Sequence, residues 1–168
     1  MGKIKDVLLI ANFWHFEFEK KSSRYRTMAD VLCNAGYNVE VVSSSFRHQT
    51  KQQRDIEYIK TIESLYKVTL LHEPEYNKNV SLKRIYSHHC FAKEVTKYLK
   101  TRKKPDLIIC SVPSLSVGSA VTKFAKKNDI KCQVKRYVSG GNDAGHIHKS
   151  TSGVKCIALS APTRYLHS

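Results

Sequence analysis

The sequence predicts an α/β fold: a Rossmann-like open parallel sheet with helices on both faces. Continuous apolar runs stand at DVLLIAN and LIICSVP, the pattern of strands covered on both faces rather than the alternation of a half-exposed strand, and NVEVVSSS reads as another strand. Segments with apolar residues at helical spacing separate them, and that strand–helix–strand interval is the one right-handed parallel crossovers need. The apolar content of 41%, with nine Tyr and six Phe in 168 residues, suffices for one domain's core and is short for a two-domain enzyme.

The elements follow in order. The amino-terminal apolar run is too short for a signal peptide or a membrane span, and a strand over 6–12, ended by Asn12, accounts for it. Ser22 and Ser23 offer a helix cap. Tyr25, Met28, Ala29, Leu32 and Cys33 then recur on one helical face until Gly36 stops it. A second strand is expected over 38–45, a polar and basic stretch over 46–60, and a third strand over 66–73, closed by Pro74. The next helix spans 81–100, with Leu82, Ile85, His89, Ala92, Val95 and Leu99 on its apolar face. Pro105 and Asp106 lead into a strand over 107–113, a capped amphipathic helix over 114–128 and a strand over 130–134. Residues 154–161, apolar on both faces, suit a further covered strand. The polar segment 139–152, with three glycines, is expected to be mobile.

The formal charge is +15, from 29 Lys and Arg against 14 Asp and Glu. Such a surface favours polyanions, and peripheral contact with an anionic membrane fits it; solvated lysines are the plainer account. No motif points to specific nucleic-acid recognition, so a non-enzymatic basic binding module rests on charge alone. Cys33, Cys90, Cys110, Cys132 and Cys156 stand singly, which excludes C-x-x-C zinc ribbons and thioredoxin-like chemistry. Buried reduced thiols of a cytoplasmic protein are expected. The loop after the first strand has no glycine, so the G-x-G-x-x-G dinucleotide fingerprint is absent.

In open parallel sheets ligands sit at the carboxyl ends of the strands. The blocks LLIANFWHFEFEKKSSRYRTMADVLCNAGYNVEVVSSSFRHQTKQQRD, YKVTLLHEPEYNKNVSLKRIYSHHCFAKEV and KKPDLIICSVPSLSVGSAVTKFAKKNDIKCQV flank those ends. Together they resemble the amino-terminal, acceptor-binding half of family 4 GT-B glycosyltransferases over residues 4–133. The resemblance implies half of a GT-B fold, a nucleotide-sugar donor held by a second domain, and a phosphorylated or lipid-linked glycan acceptor at the inner membrane surface. It places His15, Ser22, Arg24, Phe46, Arg47, His48 and Lys51 on the acceptor side, on two adjacent strand-end loops. Solvated loop residues would look the same. The family's paired-glutamate E-x7-E motif has no counterpart, since no two glutamates lie eight residues apart. Donor binding and charge stabilisation for a departing diphosphate therefore have no source in these residues.

Beyond that stretch, GGNDAGHIH and SGVKCIALSAPTRYLHS resemble two blocks near the carboxyl end of the peptidase family 42 metallo-aminopeptidases, the glutamyl aminopeptidase type. This resemblance runs over residues 137–168, with Asn142 where the family has Thr and His146 where it has Ala. It implies a divalent metal pair such as Zn or Co, with His167 as one ligand. The further acidic ligands and catalytic glutamate of a two-metal centre lie upstream in that family, where this chain has glycosyltransferase-like sequence. Opportunistic metal binding by His146, His148 and His167 would require folding to bring them together.

Two segments result, 1–133 and 134–168, meeting near IKCQVKRYVSGG. The expected function is an incomplete acceptor-binding domain without independent transferase activity, joined to an aminopeptidase fragment. Metallo-aminopeptidase activity is the alternative.

Overall fold

The computed structural model describes residues 5–19, 23–111 and 114–130. All of them lie in the first of two compact units, Met1–Cys132, the second being Gln133–Ser168. Ser22, His146, His148, His167, the segment 139–152 and the strand expected over 154–161 lie outside the described residues.

Four parallel strands form the sheet: β1 (Asp6–Ile10), β2 (Asn38–Ser44), β5 (Lys67–Leu71) and β6 (Leu107–Cys110), in the order β5-β2-β1-β6. The polar stretch after β2 is not featureless. It carries a two-stranded antiparallel hairpin, β3 (Phe46–Arg47) with β4 (Gln52–Gln53), and then a short helix, α2 (Ile56–Lys60). Lys51 makes the hairpin turn with a positive φ of 59°, a region few side chains adopt. Asp55 caps α2 by accepting the Tyr58 N–H at 3.0 Å.

Three longer helices cover the sheet: α1 (Arg24–Asn34), α3 (Leu82–Thr101) and α4 (Leu115–Lys127). Leu8 and Ile10 of β1 pack with Val42 against Phe91, Val95 and Leu99 of α3 and Val117 and Val121 of α4. Val7 and Leu9 face the other way, with Val39, Val41, Trp14, Phe16 and Ala29 of α1. The expected Rossmann-like α/β sheet with helices on both faces is therefore what forms. A central strand meets apolar side chains above and below, which is why DVLLI has no polar alternation. Leu8, Leu9 and Ile10 are fully buried, each worth roughly 1.5–3 kcal/mol.

Several boundaries differ from the sequence expectation. The third strand stops at Leu71, and the fourth stops at Cys110, although the Ser111 N–H still bonds the Ile10 carbonyl at 2.8 Å. Ile130 lies outside any strand, and 131–134 are outside the described residues. The buried stripe of α3 is Ser87, Phe91, Ala92, Val95 and Leu99. Leu82 and Ile85, expected on that face, are 84% and 66% exposed, and His89 is exposed too, because the buried stripe begins only at Ser87 and runs through Phe91. Among the described cysteines, Cys33, Cys90 and Cys110 are free and half-buried rather than fully buried. Burial raises the Cys110 thiol to about 11, so it stays protonated.

No helix among the described residues is long and apolar enough to cross a membrane.

Candidate functional site

The loop after β1 and the β3–β4 hairpin after β2 leave the carboxyl ends of adjacent strands, and side chains from the start of α3 reach the same hairpin. Two clusters form there.

The first is an ion-pair knot around Glu19, whose side chain is 1% exposed. Its Oε1 lies 3.0 Å from Arg47 Nε and 3.2 Å from Arg54 Nε. Its Oε2 accepts the Phe16 N–H at 3.0 Å and stands 3.5 Å from His15 Nδ1. The Arg54 guanidinium also donates to the Ser44 carbonyl at 2.6 Å and the Trp14 carbonyl at 2.7 Å. A buried guanidinium needs such acceptors, because each unmade bond there would cost desolvation energy. The knot fastens the β1 loop to the hairpin.

The second cluster surrounds Tyr76, buried at the end of the β5 loop. His48 Nδ1 meets the Tyr76 hydroxyl, and the His48 ring stacks on Phe13 with centroids 4.5 Å apart. Lys51 Nζ stands 3.4 Å from His48 Nδ1 and 4.5 Å from the Tyr76 ring centroid. The Arg84 guanidinium, from the first turn of α3, is 6.0 Å from the same centroid. Asn79 anchors both cations: its side-chain oxygen accepts from Lys51 at 2.6 Å, and its carbonyl accepts from Arg84 at 2.6 Å. Beneath them Glu73 accepts from the Ser87 hydroxyl at 3.0 Å, and His88 Nε2 lies 4.0 Å away.

Burial, with the Lys51, Arg84 and His88 charges, lowers His48 to about 4; burial and Arg84 lower His88. Burial raises the Glu73 carboxyl despite its Ser44 and Ser87 hydrogen bonds. These shifts fix a pH dependence. The unfolded chain protonates His48 and His88 near 6.5, while the folded chain resists until lower pH, so the folded state loses stability as pH falls from that value towards 4. Glu73 acts oppositely, because its stabilising neutral form is lost as pH rises through its raised folded value. The urea midpoint is expected to fall between pH 7 and 5, and His48→Gln to flatten that slope. A pH slope equal in wild type and His48→Gln would mean that His48 is not held neutral.

The residues assigned to an acceptor side are therefore not gathered in one place. His15 and Arg47 belong to the Glu19 knot, with His15 Nε2 also 3.0 Å from the Gln49 amide nitrogen. His48 and Lys51 belong to the Tyr76 cluster, against which Phe46 packs at 4.9 Å between ring centroids. Arg24 bonds the Tyr25 hydroxyl at 3.0 Å, and that hydroxyl meets Ser111 at the end of β6. Sequence reasoning missed Glu19, Arg54, Tyr76, Asn79, Arg84 and His88. Arg84 and His88, one turn apart at the start of a helix, were the readable signal for part of this set.

A metal pair does not fit the described residues. No group of three His, Cys, Asp or Glu side chains among them could hold an ion. Glu19 is committed to two arginines, and Glu73 to serine hydroxyls. After Ile130 the sequence offers His146, His148, His167, Cys132, Cys156 and one carboxylate, Asp143, with no glutamate.

The sequence model of the M42 glutamyl aminopeptidase family matches residues 107–168. The match begins ahead of Tyr137, where the peptidase-like blocks start, and takes in β6 and α4. A protein of Acetivibrio thermocellus named "Putative aminopeptidase" is 43% identical over 52 residues, 31% of this chain and 16% of that relative. No solved structure matches the chain at a significant level. Neither match supports the glycosyltransferase resemblance of residues 4–133. From Leu107 onward, then, this α/β chain is similar to the glutamyl aminopeptidases, and it spans only a small part of the relative it matches.

Proposed function

We propose that the chain is related in function to the metallo-aminopeptidases, with residues 107–168 as the part that carries the relation and His167 as a metal ligand. The match over that span is the observation behind the reading. The described residues hold no group of three ligating side chains, and the whole enzyme's activity would need more acidic groups than the Asp129 and Asp143 of the matched segment, so metal binding is the first thing to measure. Elemental analysis after dialysis against Zn²⁺ or Co²⁺ is expected to find bound metal in the wild type and much less in His167→Ala. Metal-free wild type, or equal content in the variant, would sink the reading. Release of N-terminal glutamyl or alanyl residues from peptides, tested on the same preparations, asks whether hydrolysis accompanies the metal.

One observation favours a second reading, an acceptor-binding domain for a phosphorylated or lipid-linked glycan. It is the accumulation of His48, Lys51 and Arg84 around Tyr76 at a strand-end loop. Aromatic faces and fixed donors suit sugar rings and phosphates alike. The reading asks for glycan binding without sugar transfer. Turnover of a nucleotide-sugar by the chain alone would refute it.

A further inference from the structure

We propose that the Tyr76 cluster is a phosphate-binding site, with Lys51 and Arg84 as its charged partners and His48 as a group that positions Lys51. The inference deepens the acceptor-binding reading and rests on it for the site's location, but it is tested separately. Lys51 and Arg84 converge on one tyrosine ring, and neither has a carboxylate within ion-pairing distance among the described residues. Two like charges are held together by neutral groups, the Asn79 side chain and carbonyl, which orient them without cancelling them. Both side chains are half-buried, so an arriving anion would meet partly desolvated cations, where attraction is stronger than in open water.

His48 holds Lys51 in place. Its Nδ1 faces the Tyr76 hydroxyl and the Lys51 ammonium, both donors, so the neutral ring accepts there and carries its proton on Nε2. Stacking on Phe13 fixes the ring plane. Lys51 holds its place with a positive φ, and Arg84 is held in the first turn of α3, where Ser81 caps the helix by accepting the Arg84 N–H at 3.2 Å. Glu73 is the buried acid beside the cluster; burial raises its carboxyl, and even ionised its single charge leaves Lys51 and Arg84 in excess. A planar guanidinium and a point-charge ammonium at one ring match the several acceptor oxygens of a phosphate better than a carboxylate's two.

The test titrates the full chain with inorganic phosphate and methyl phosphate, followed by calorimetry and by histidine proton resonances. Vesicles of phosphatidic acid, against phosphatidylcholine, separate a lipid headgroup from a soluble phosphate. Binding is expected to weaken about tenfold in Lys51→Asn and again in Arg84→Gln, the loss typical of one charge-assisted contact. Asparagine tolerates the left-handed backbone at residue 51. Lys93→Gln, on another part of α3, should change affinity less than about twofold if the attraction is local rather than diffuse. Phosphate should also raise the His48 titration point, shifted in the free protein by burial and the Lys51, Arg84 and His88 charges, a response that misfolding of a variant cannot imitate. Phosphate or phosphatidic acid binding lost in the Lys51 and Arg84 variants supports the site and names its source. No binding of any phosphate, or binding equal in wild type and variants, overturns it. An unphosphorylated glycan that binds while phosphate does not would overturn the phosphate site and leave the acceptor reading standing.

Discussion

Replacing Glu19 with alanine is expected to destabilise the fold by about 3–5 kcal/mol, the cost of stranding a buried charge after its partner is removed. Arg54 is the group stranded: its side chain is 3% exposed, and among the described residues Glu19 is the carboxylate paired with it and with Arg47, Glu73 acting on it from farther off. Its carbonyl partners Ser44 and Trp14 would remain, and they carry no formal charge to balance it. The loss would take much of the 5–15 kcal/mol that holds a typical domain together. Urea unfolding followed by the Trp14 fluorescence reads it directly, since that ring lies beside Phe16 in the same loop. Glu19→Gln keeps the shape and removes the charge, and should lie between wild type and Glu19→Ala. A loss under about 1 kcal/mol in both would place the pair among weak surface bridges and refute the knot as a stability element.

A loss of similar size, about 3–5 kcal/mol, is expected from Phe91→Ala, by a different cause. Phe91 is fully buried between the sheet and α4, with Val42, Val95 and Val117 among its cluster. Truncation removes its transfer energy and leaves a cavity that a sheet and two helices cannot collapse to fill. The control lies on the same helix. Leu82 is 84% exposed, and Leu82→Ala should change the unfolding free energy by no more than about 0.5 kcal/mol. Equal effects at the two positions would contradict the buried stripe of α3.

These two sites mark what could be read in advance. Phe91 was omitted from the apolar face of α3 and Leu82 included, because helical periodicity reports which residues share a face, not which turns have something to face. Where packing comes from both sides, as in DVLLI and LIIC, the apolar run itself marks the strand. The hairpin after β2 was illegible, because its strands are two residues each and its turn depends on Lys51 taking an uncommon backbone conformation. Arg47 and His48 are neighbours in sequence, yet one joins Glu19 and the other Tyr76. Charge and residue type flagged both, while the side each faces was fixed by a hairpin too short to detect, with Arg47 ending β3 and His48 opening the turn.

The place of β6 has a consequence for synthesis on the ribosome. Val7 pairs with Leu107, so the second edge of β1 waits about a hundred residues for its partner, while β2 covers the first edge much sooner. During that interval a central, wholly apolar strand presents unpaired amides and carbonyls, the condition that invites pairing with another nascent chain. The stretch that matches the peptidase family is also the one that closes this edge. Within that stretch the pairing residues are Leu107–Cys110, so a chain released before Leu107 is expected to aggregate more readily than one that includes them.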